Sequence, residues 1–94
     1  MAKRILIVGA GANDVGAIMK ARELGLCVVA VDDCPKAPGF APADIVETID
    51  IMDPAALSQV ARKLGVHAIY AAGERGFEAA AQAAHELGLP GVPP

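Results

Sequence analysis

The sequence predicts an α/β domain, a doubly wound parallel sheet of four to five strands in the order 3-2-1-4-5. Short apolar runs alternate with amphipathic segments along the 94 residues, and 54% of the residues are hydrophobic, with a mean hydropathy of +0.44. Parallel strands that are covered on both faces are almost wholly apolar, which accounts for such a composition. A surface that a partner covers would account for it equally well.

Four apolar runs are the candidate strands, at residues 4–8, 27–31, 45–49 and 67–71. The third alternates apolar with polar residues, so we expect it at an edge of the sheet. The stretch 32–42 contains three prolines and a glycine, which predicts a loop. A fifth strand is expected to begin near Leu89, because the chain there repeats the pattern that precedes the second and fourth strands.

Three segments have the signature of helices. The first is expected to be capped by Asn13 or Asp14 and to bury Val15, Ile18 and Met19. The second begins at the capping pair Asp53-Pro54, and the third covers residues 77–87. Each helix ends in leucine, glycine and an apolar residue, a pattern typical of a left-handed glycine cap; the glycines are Gly25, Gly65 and Gly88.

Composition excludes several classes of function. The net charge is −3 and the eight basic residues are scattered, so no nucleic-acid partner is expected. No apolar run approaches the ~20 residues of a membrane span, and the N-terminus lacks signal-peptide features, so we expect no membrane and a cytoplasmic location. Cys27 and Cys34 fit neither a metal pattern nor a disulfide framework. We therefore predict a single domain, 1–94, with no metal site.

The segment from Gly9 to Gly16 resembles the glycine-rich turn that holds a pyrophosphate in dinucleotide-binding proteins. Asp14, however, stands where the third glycine belongs, and a carboxylate repels a pyrophosphate. Asp32 follows the second strand, about where a ribose-binding acid would lie. An NAD(P) site made by Gly9, Gly11 and Asp32 thus stays open as an alternative. A second alternative is that the glycines only permit a tight turn between strand and helix, while Asp14 caps the helix.

A second loop, Gly73 to Gly76, follows the fourth strand and carries Glu74 and Arg75. In the predicted strand order it meets the glycine turn at the switch point, where such sheets bind ligands. Two carboxylates, Asp14 and Glu74, with helix N–H groups nearby would suit a ligand that carries an amine and an anionic group. Simpler explanations exist for both residues of this loop. Glu74 would only interact favourably with the dipole of the following helix, and Arg75 would be a solvated surface charge.

The whole chain resembles the N-terminal, Rossmann-like pre-ATP-grasp domain of ATP-grasp ligases, which include biotin carboxylase and carbamoyl phosphate synthetase. Formate-dependent glycinamide ribonucleotide transformylases and carbamoyl phosphate synthetase-like proteins are the most similar groups. The motifs that carry the resemblance are Gly9-x-Gly11, Val31-Asp32 with the loop 35–41, Ala43-Asp44, the segment 53–57, and the ending 86–91.

This resemblance implies an acceptor-substrate-binding domain that is not catalytic alone. The transformylase pattern places acceptor contacts at Asp14, Val15, Gly16 and Glu74, although this chain has a longer glycine loop, Asp for Glu and Val for Leu. The candidate substrate-binding residues are Gly11, Asp14, Val15, Gly16, Glu74 and Arg75. The resemblance also implies a longer parent chain, whose further ATP-grasp domains would bind ATP and Mg²⁺, whereas this part holds no cofactor.

A non-catalytic scaffold that forms a homodimer through an apolar face is the third hypothesis. The remaining polar candidates lack partners for chemistry in the sequence pattern. His67 and His85 are expected to be structural or surface groups, and Cys34 to be an ordinary exposed thiol. Ser58 lies in the middle of a predicted helix without a base.

Overall fold

The predicted α/β fold is confirmed by a computed structural model, which describes residues 2–71 and 73–90. The four strands are parallel and lie in the order β3-β2-β1-β4. The elements along the chain are β1 (Arg4–Val8), α1 (Val15–Glu23), β2 (Cys27–Asp32), β3 (Ile45–Thr48), α2 (Pro54–Leu64), β4 (Ala68–Tyr70) and α3 (Phe77–Leu87). β3 lies at one edge, as its alternating pattern predicts.

The sheet separates two apolar layers, because successive side chains of a strand point to opposite faces. Leu6 and Val8 of β1 pack into the larger layer, which contains the buried faces of α2 and α3. Ile7, between them, packs into the smaller layer with Ile18 of α1. This two-sided burial explains why β1 and β2 are apolar runs without alternation. Within the described residues, no helix combines the length and apolarity that crossing a membrane requires.

Helix α2 has the predicted ends. The Asp53 carboxylate accepts a hydrogen bond from the Ala55 N–H at 3.0 Å, and Pro54 is the first helical residue. Gly65 closes the helix with φ +60°, the left-handed conformation that glycine adopts without a steric penalty. The same ending recurs at Gly88 after α3.

Helix α1 departs from the prediction in two ways. Met19, expected in the core, is 57% exposed, and α1 buries only Ile18 and Ala21. One residue turns a helix by about 100°, so a nine-residue helix that packs through Ile18 directs Met19 towards solvent. In addition, a 3₁₀ turn at Ala12–Asp14 precedes α1, and the Asp14 side chain does not cap the helix.

The loop after β2 packs tightly against the glycine turn. It contains a 3₁₀ turn at Pro38–Phe40, and β2 itself extends one residue further than predicted, to Asp32. The Gly39 N–H donates to the Ala10 carbonyl at 2.7 Å. A Cβ at Gly39 would lie 2.7 Å from Ile18 Cδ1 and 2.8 Å from the Ala10 oxygen, so only glycine allows this approach.

The predicted fifth strand falls mainly on residues 91–94, outside the described residues. The described chain does reach the outer edge of β4, where the Ile69 N–H donates to the Pro90 carbonyl at 3.0 Å.

We predict that Gly39→Ala lowers the free energy of unfolding by about 1–3 kcal/mol, the usual cost of overpacking a tight site. Gly16→Ala is the matched control, because a Cβ there meets nothing within 4 Å. As Gly16 lies in a helix, its replacement should stabilise by up to about 1 kcal/mol. Urea unfolding followed by circular dichroism measures both; equal effects of the two substitutions would contradict the tight contact.

Candidate functional site

A crevice of about 380 Å³ opens at the carboxyl ends of β1 and β4, the switch point of the sheet. The glycine turn forms one wall and the loop after β4 forms the other. The described residues that line it are Val8, Gly9, Gly11, Ala12, Asn13, Asp14, Asp32, Ile51, Gly73, Glu74 and Arg75. The two loops singled out in the sequence therefore do converge on one site.

Asp32 connects three segments beneath the crevice. Its side chain is buried at the end of β2, with 7% of the residue exposed. Oδ2 accepts a hydrogen bond from the Ala10 N–H at 2.7 Å, and Oδ1 accepts one from the Cys34 N–H at 2.9 Å. Since both oxygens bind backbone N–H groups, the carboxylate is committed to holding the glycine turn and the following loop.

Asp14 turns back over the glycine turn instead of capping α1. Its Oδ2 accepts a hydrogen bond from the Gly11 N–H at 2.9 Å. A Cβ at Gly9 would lie only 3.2 Å from the same oxygen, and Gly9 has φ +97°, a left-handed conformation. The backbone conformation of Gly9 therefore favours glycine, and the close carboxylate leaves little room for a side chain.

Two N–H groups of the turn, those of Ala10 and Gly11, are therefore occupied by carboxylates of the chain itself. A pyrophosphate at this turn needs such N–H groups and would have to displace both carboxylates. It would also meet their negative charge at short range. This geometry disfavours the NAD(P) alternative that Gly9, Gly11 and Asp32 left open.

Glu74 and Arg75 both line the crevice but differ in their partners. Within the described part of the chain, the Glu74 carboxylate accepts no hydrogen bond and forms no ion pair. Arg75 forms an ion pair with Asp33, in which Nη2 binds Oδ2 and Nη1 lies 3.5 Å from Oδ1. The Arg75 hydrogen bond lowers the pKa of the exposed Asp33 carboxyl, and Asp33 in turn raises the pKa of Arg75.

The structure brings together four of the six candidate residues: Gly11, Asp14, Glu74 and Arg75. Val15 and Gly16 lie in the first turn of α1 and are not among the described lining residues. Sequence reasoning missed Asp33 and Ile51. The position of Asp33 directly after a strand end was a usable signal, whereas nothing in the pattern around Ile51 pointed to the crevice.

A second hollow of about 370 Å³ adjoins the crevice at the start of α3. Its walls include Met52, Phe77 and Glu78, and it shares Gly73 and Glu74 with the crevice. Glu74 therefore lines both the crevice and the second hollow.

The remaining candidates have structural or surface positions. His67 Nδ1 accepts a hydrogen bond from the Arg4 N–H at 3.0 Å, and His85 is exposed. The buried Ser58 hydroxyl donates to Glu86 at 3.5 Å, which links α2 to α3. Cys34 is exposed and unpaired, as expected. Residues 2–71 and 73–90 contain no group of three or more side chains that could hold a metal ion together.

The fold and the crevice define a Rossmann-like α/β domain with a crevice at the switch point of its sheet. Residues 18–91 match the family model of the ATP-grasp N-terminal domain. The chain belongs to this family, and the resemblance drawn from its motifs is confirmed.

Two enzymes of the same name are similar to this chain in sequence. The formate-dependent phosphoribosylglycinamide formyltransferase of Burkholderia cenocepacia (strain HI2424) is 40% identical over 68 residues, which make up 72% of this chain and 17% of that protein. The enzyme of the same name from Burkholderia thailandensis is 41% identical over 56 residues, or 60% of this chain and 14% of that protein. The chain thus spans less than a fifth of these relatives.

Solved structures agree on the fold. Phosphoribosylglycinamide synthetase from Anaerococcus prevotii has a TM-score of 0.84 at 27% identity, over 94% of this chain and 23% of that one. The biotin carboxylase domain of a single-chain bacterial carboxylase has a TM-score of 0.80 at 24% identity, over 96% of this chain and 24% of that one. L-threonine dehydrogenase from Clostridium difficile has a TM-score of 0.76 at 22% identity, over 96% of this chain and 35% of that one. The last two comparisons show the fold alone.

We predict that Asp32→Asn destabilises the chain by about 1–3 kcal/mol, because the amide offers one acceptor oxygen to two buried N–H donors. Asp50→Asn is the control, since the exposed Asp50 accepts a single hydrogen bond, from the Met52 N–H at 3.0 Å. Its effect should stay within about 0.5 kcal/mol. Urea unfolding of both variants provides the measurement, and a neutral Asp32→Asn would contradict the anchoring role.

Proposed function

We propose that this chain forms the acceptor-substrate wall of an ATP-grasp ligase, with the amine of the acceptor directed at Glu74. The observation that carries the proposal is the Glu74 carboxylate, which lines the crevice and has no hydrogen-bond or ion-pair partner among residues 2–71 and 73–90. A carboxylate that lacks a protein partner and lines a concave site is suited to bind a cationic amine.

Asp14 adds a second carboxylate that favours a cationic amine in the crevice. Its Oδ2 is bound to the Gly11 N–H, while its Oδ1 accepts no hydrogen bond from the described residues. A carboxylate has about four lone-pair positions, so Asp14 keeps acceptor capacity for a ligand. Together with Asp32 beneath, the carboxylates give the crevice a negative potential that attracts a cation and opposes a pyrophosphate.

The relatives suggest which acceptor to test. The Burkholderia enzymes are named as formyltransferases of phosphoribosylglycinamide. This compound carries an amine and a phosphate, so its amine would suit Glu74. We therefore propose phosphoribosylglycinamide, or an amine of the same class, as the acceptor.

Catalysis is proposed to reside elsewhere in a longer parent chain. The relatives are several times longer than this chain, which leaves room for the domains that would bind ATP and Mg²⁺. When bound there, ATP would activate a carboxylate as an acyl phosphate for attack by the acceptor amine. In this proposal, the part of the present chain is to bind and orient the acceptor. A cytoplasmic location stays a prediction.

Titration of the isotopically labelled 94-residue chain with phosphoribosylglycinamide, followed by NMR, tests the proposal. We expect saturable amide shifts in residues 9–14 and 73–76. Glu74→Gln should weaken binding about three- to tenfold, because a charge-assisted hydrogen bond to the amine is lost. Glu78→Gln is the matched control: it removes an exposed charge four residues away that does not line the crevice.

Three outcomes would contradict the proposal. They are micromolar binding of NAD at the glycine turn, equal losses in Glu74→Gln and Glu78→Gln, and no saturable binding of the amine. A concentration-dependent dimer seen in sedimentation, with no ligand bound, would instead favour the scaffold hypothesis. The exposed Met19 and Leu24 on α1 would be the first surface to examine in that case.

A further inference from the structure

The ion pair between Asp33 and Arg75 joins the two loops that flank the crevice. Asp33 directly follows β2 and Arg75 lies in the loop after β4, while β1 lies between these strands in the sheet. The pair, here called the Asp33–Arg75 bridge, therefore crosses the carboxyl end of β1, beside the glycine turn. It connects segments 42 residues apart, so it is not a local feature of one loop.

Arg75 is the one cationic side chain among the described residues that line the crevice. The other charged lining residues are Asp14, Asp32 and Glu74, all carboxylates. Among the charged side chains that line the described crevice, Arg75 alone attracts an anionic group, and the three carboxylates repel it. These charges favour a ligand orientation in which an amine lies towards Glu74 and an anion towards Arg75.

The guanidinium of Arg75 is already occupied by a carboxylate in the arrangement that a phosphate would use. Nη2 binds Oδ2 of Asp33 and Nη1 faces Oδ1 at 3.5 Å, a fork-to-fork geometry. Planar guanidinium forks bind carboxylates and phosphates in the same bidentate way. The side chains of Arg75 and Asp33 are 63% and 40% exposed. Water screens and weakens such a pair, so an anion that binds the guanidinium more strongly than the carboxylate does can replace it.

We infer that Asp33 is an internal competitor for Arg75, and that a phosphate monoester at the mouth of the crevice displaces it. The inference rests on the proposed function, since it assigns the anionic end of the same acceptor. Asp33 then sets specificity: it keeps Arg75 in place at the mouth and excludes weak anions. Only a group that binds the guanidinium fork more strongly than a carboxylate opens the bridge.

Inorganic phosphate is the probe, because it lacks an amine and so tests the bridge independently of Glu74. Sodium phosphate replaces sodium chloride at constant pH and ionic strength while the Nε–Hε signal of Arg75 is followed by NMR. We expect a saturable shift, absent in Arg75→Gln. Asp33→Asn should bind phosphate about two- to fivefold more tightly, the range that removal of an exposed competing ion pair allows. Asp33→Ser, a second variant without the carboxylate, should behave alike.

The pair between Arg62 and Glu86 supplies the control. It is exposed to a similar degree, 63% and 54%, with a separation of 3.7 Å, but neither residue is among the described residues that line the crevice. Glu86→Gln should leave phosphate binding at Arg75 unchanged and create no binding at Arg62. If both Asp33 variants bind phosphate no better than the original chain, or if Arg62 responds like Arg75, the inference is overturned. The amine-binding proposal would survive that result, because Glu74 plays no part in it.

Discussion

The buried carboxylate of Asp32 is the interaction on which the site depends. Its two oxygens bind the Ala10 and Cys34 N–H groups, so one side chain fixes the end of β2, the glycine turn and the start of the next loop. Gly39 then seats that loop on the carbonyl of Ala10. A buried, doubly hydrogen-bonded carboxylate is costly to disturb, because losing either contact leaves a polar group without a partner. The glycine turn, which forms one wall of the crevice, is therefore held in place before any ligand arrives.

The same carboxylate chemistry changes what the glycine turn can bind. In a dinucleotide site the N–H groups of such a turn hold a pyrophosphate. Here the carboxylates of Asp32 and Asp14 take two of these donors and place negative charge where a phosphate would bind. One fold can therefore serve dehydrogenases and ATP-grasp domains alike, with function decided by a few side chains at the switch point.

The sequence predicted most of the fold, because its signals were local. Strands appeared as apolar runs, and each helix end carried a leucine and a left-handed glycine. Met19 was placed wrongly because the apolar stripe of a short helix does not reveal how far the contact with the sheet extends. The two loops of the site were predicted from topology. The turn of Asp14 towards Gly11 depends on the direction of one side chain, which can also cap the following helix. The Asp33–Arg75 bridge depends on a contact across 42 residues, which no local pattern encodes.

A crystal structure of the chain, or of a parent protein that contains it, with phosphoribosylglycinamide bound would test the binding mode most directly. We expect the amine beside Glu74 and the phosphate at the mouth near Arg75. We also expect the Ala10 and Gly11 N–H groups to stay hydrogen-bonded to Asp32 and Asp14. A phosphate seated on those two N–H groups, with the carboxylates displaced, would contradict this binding mode.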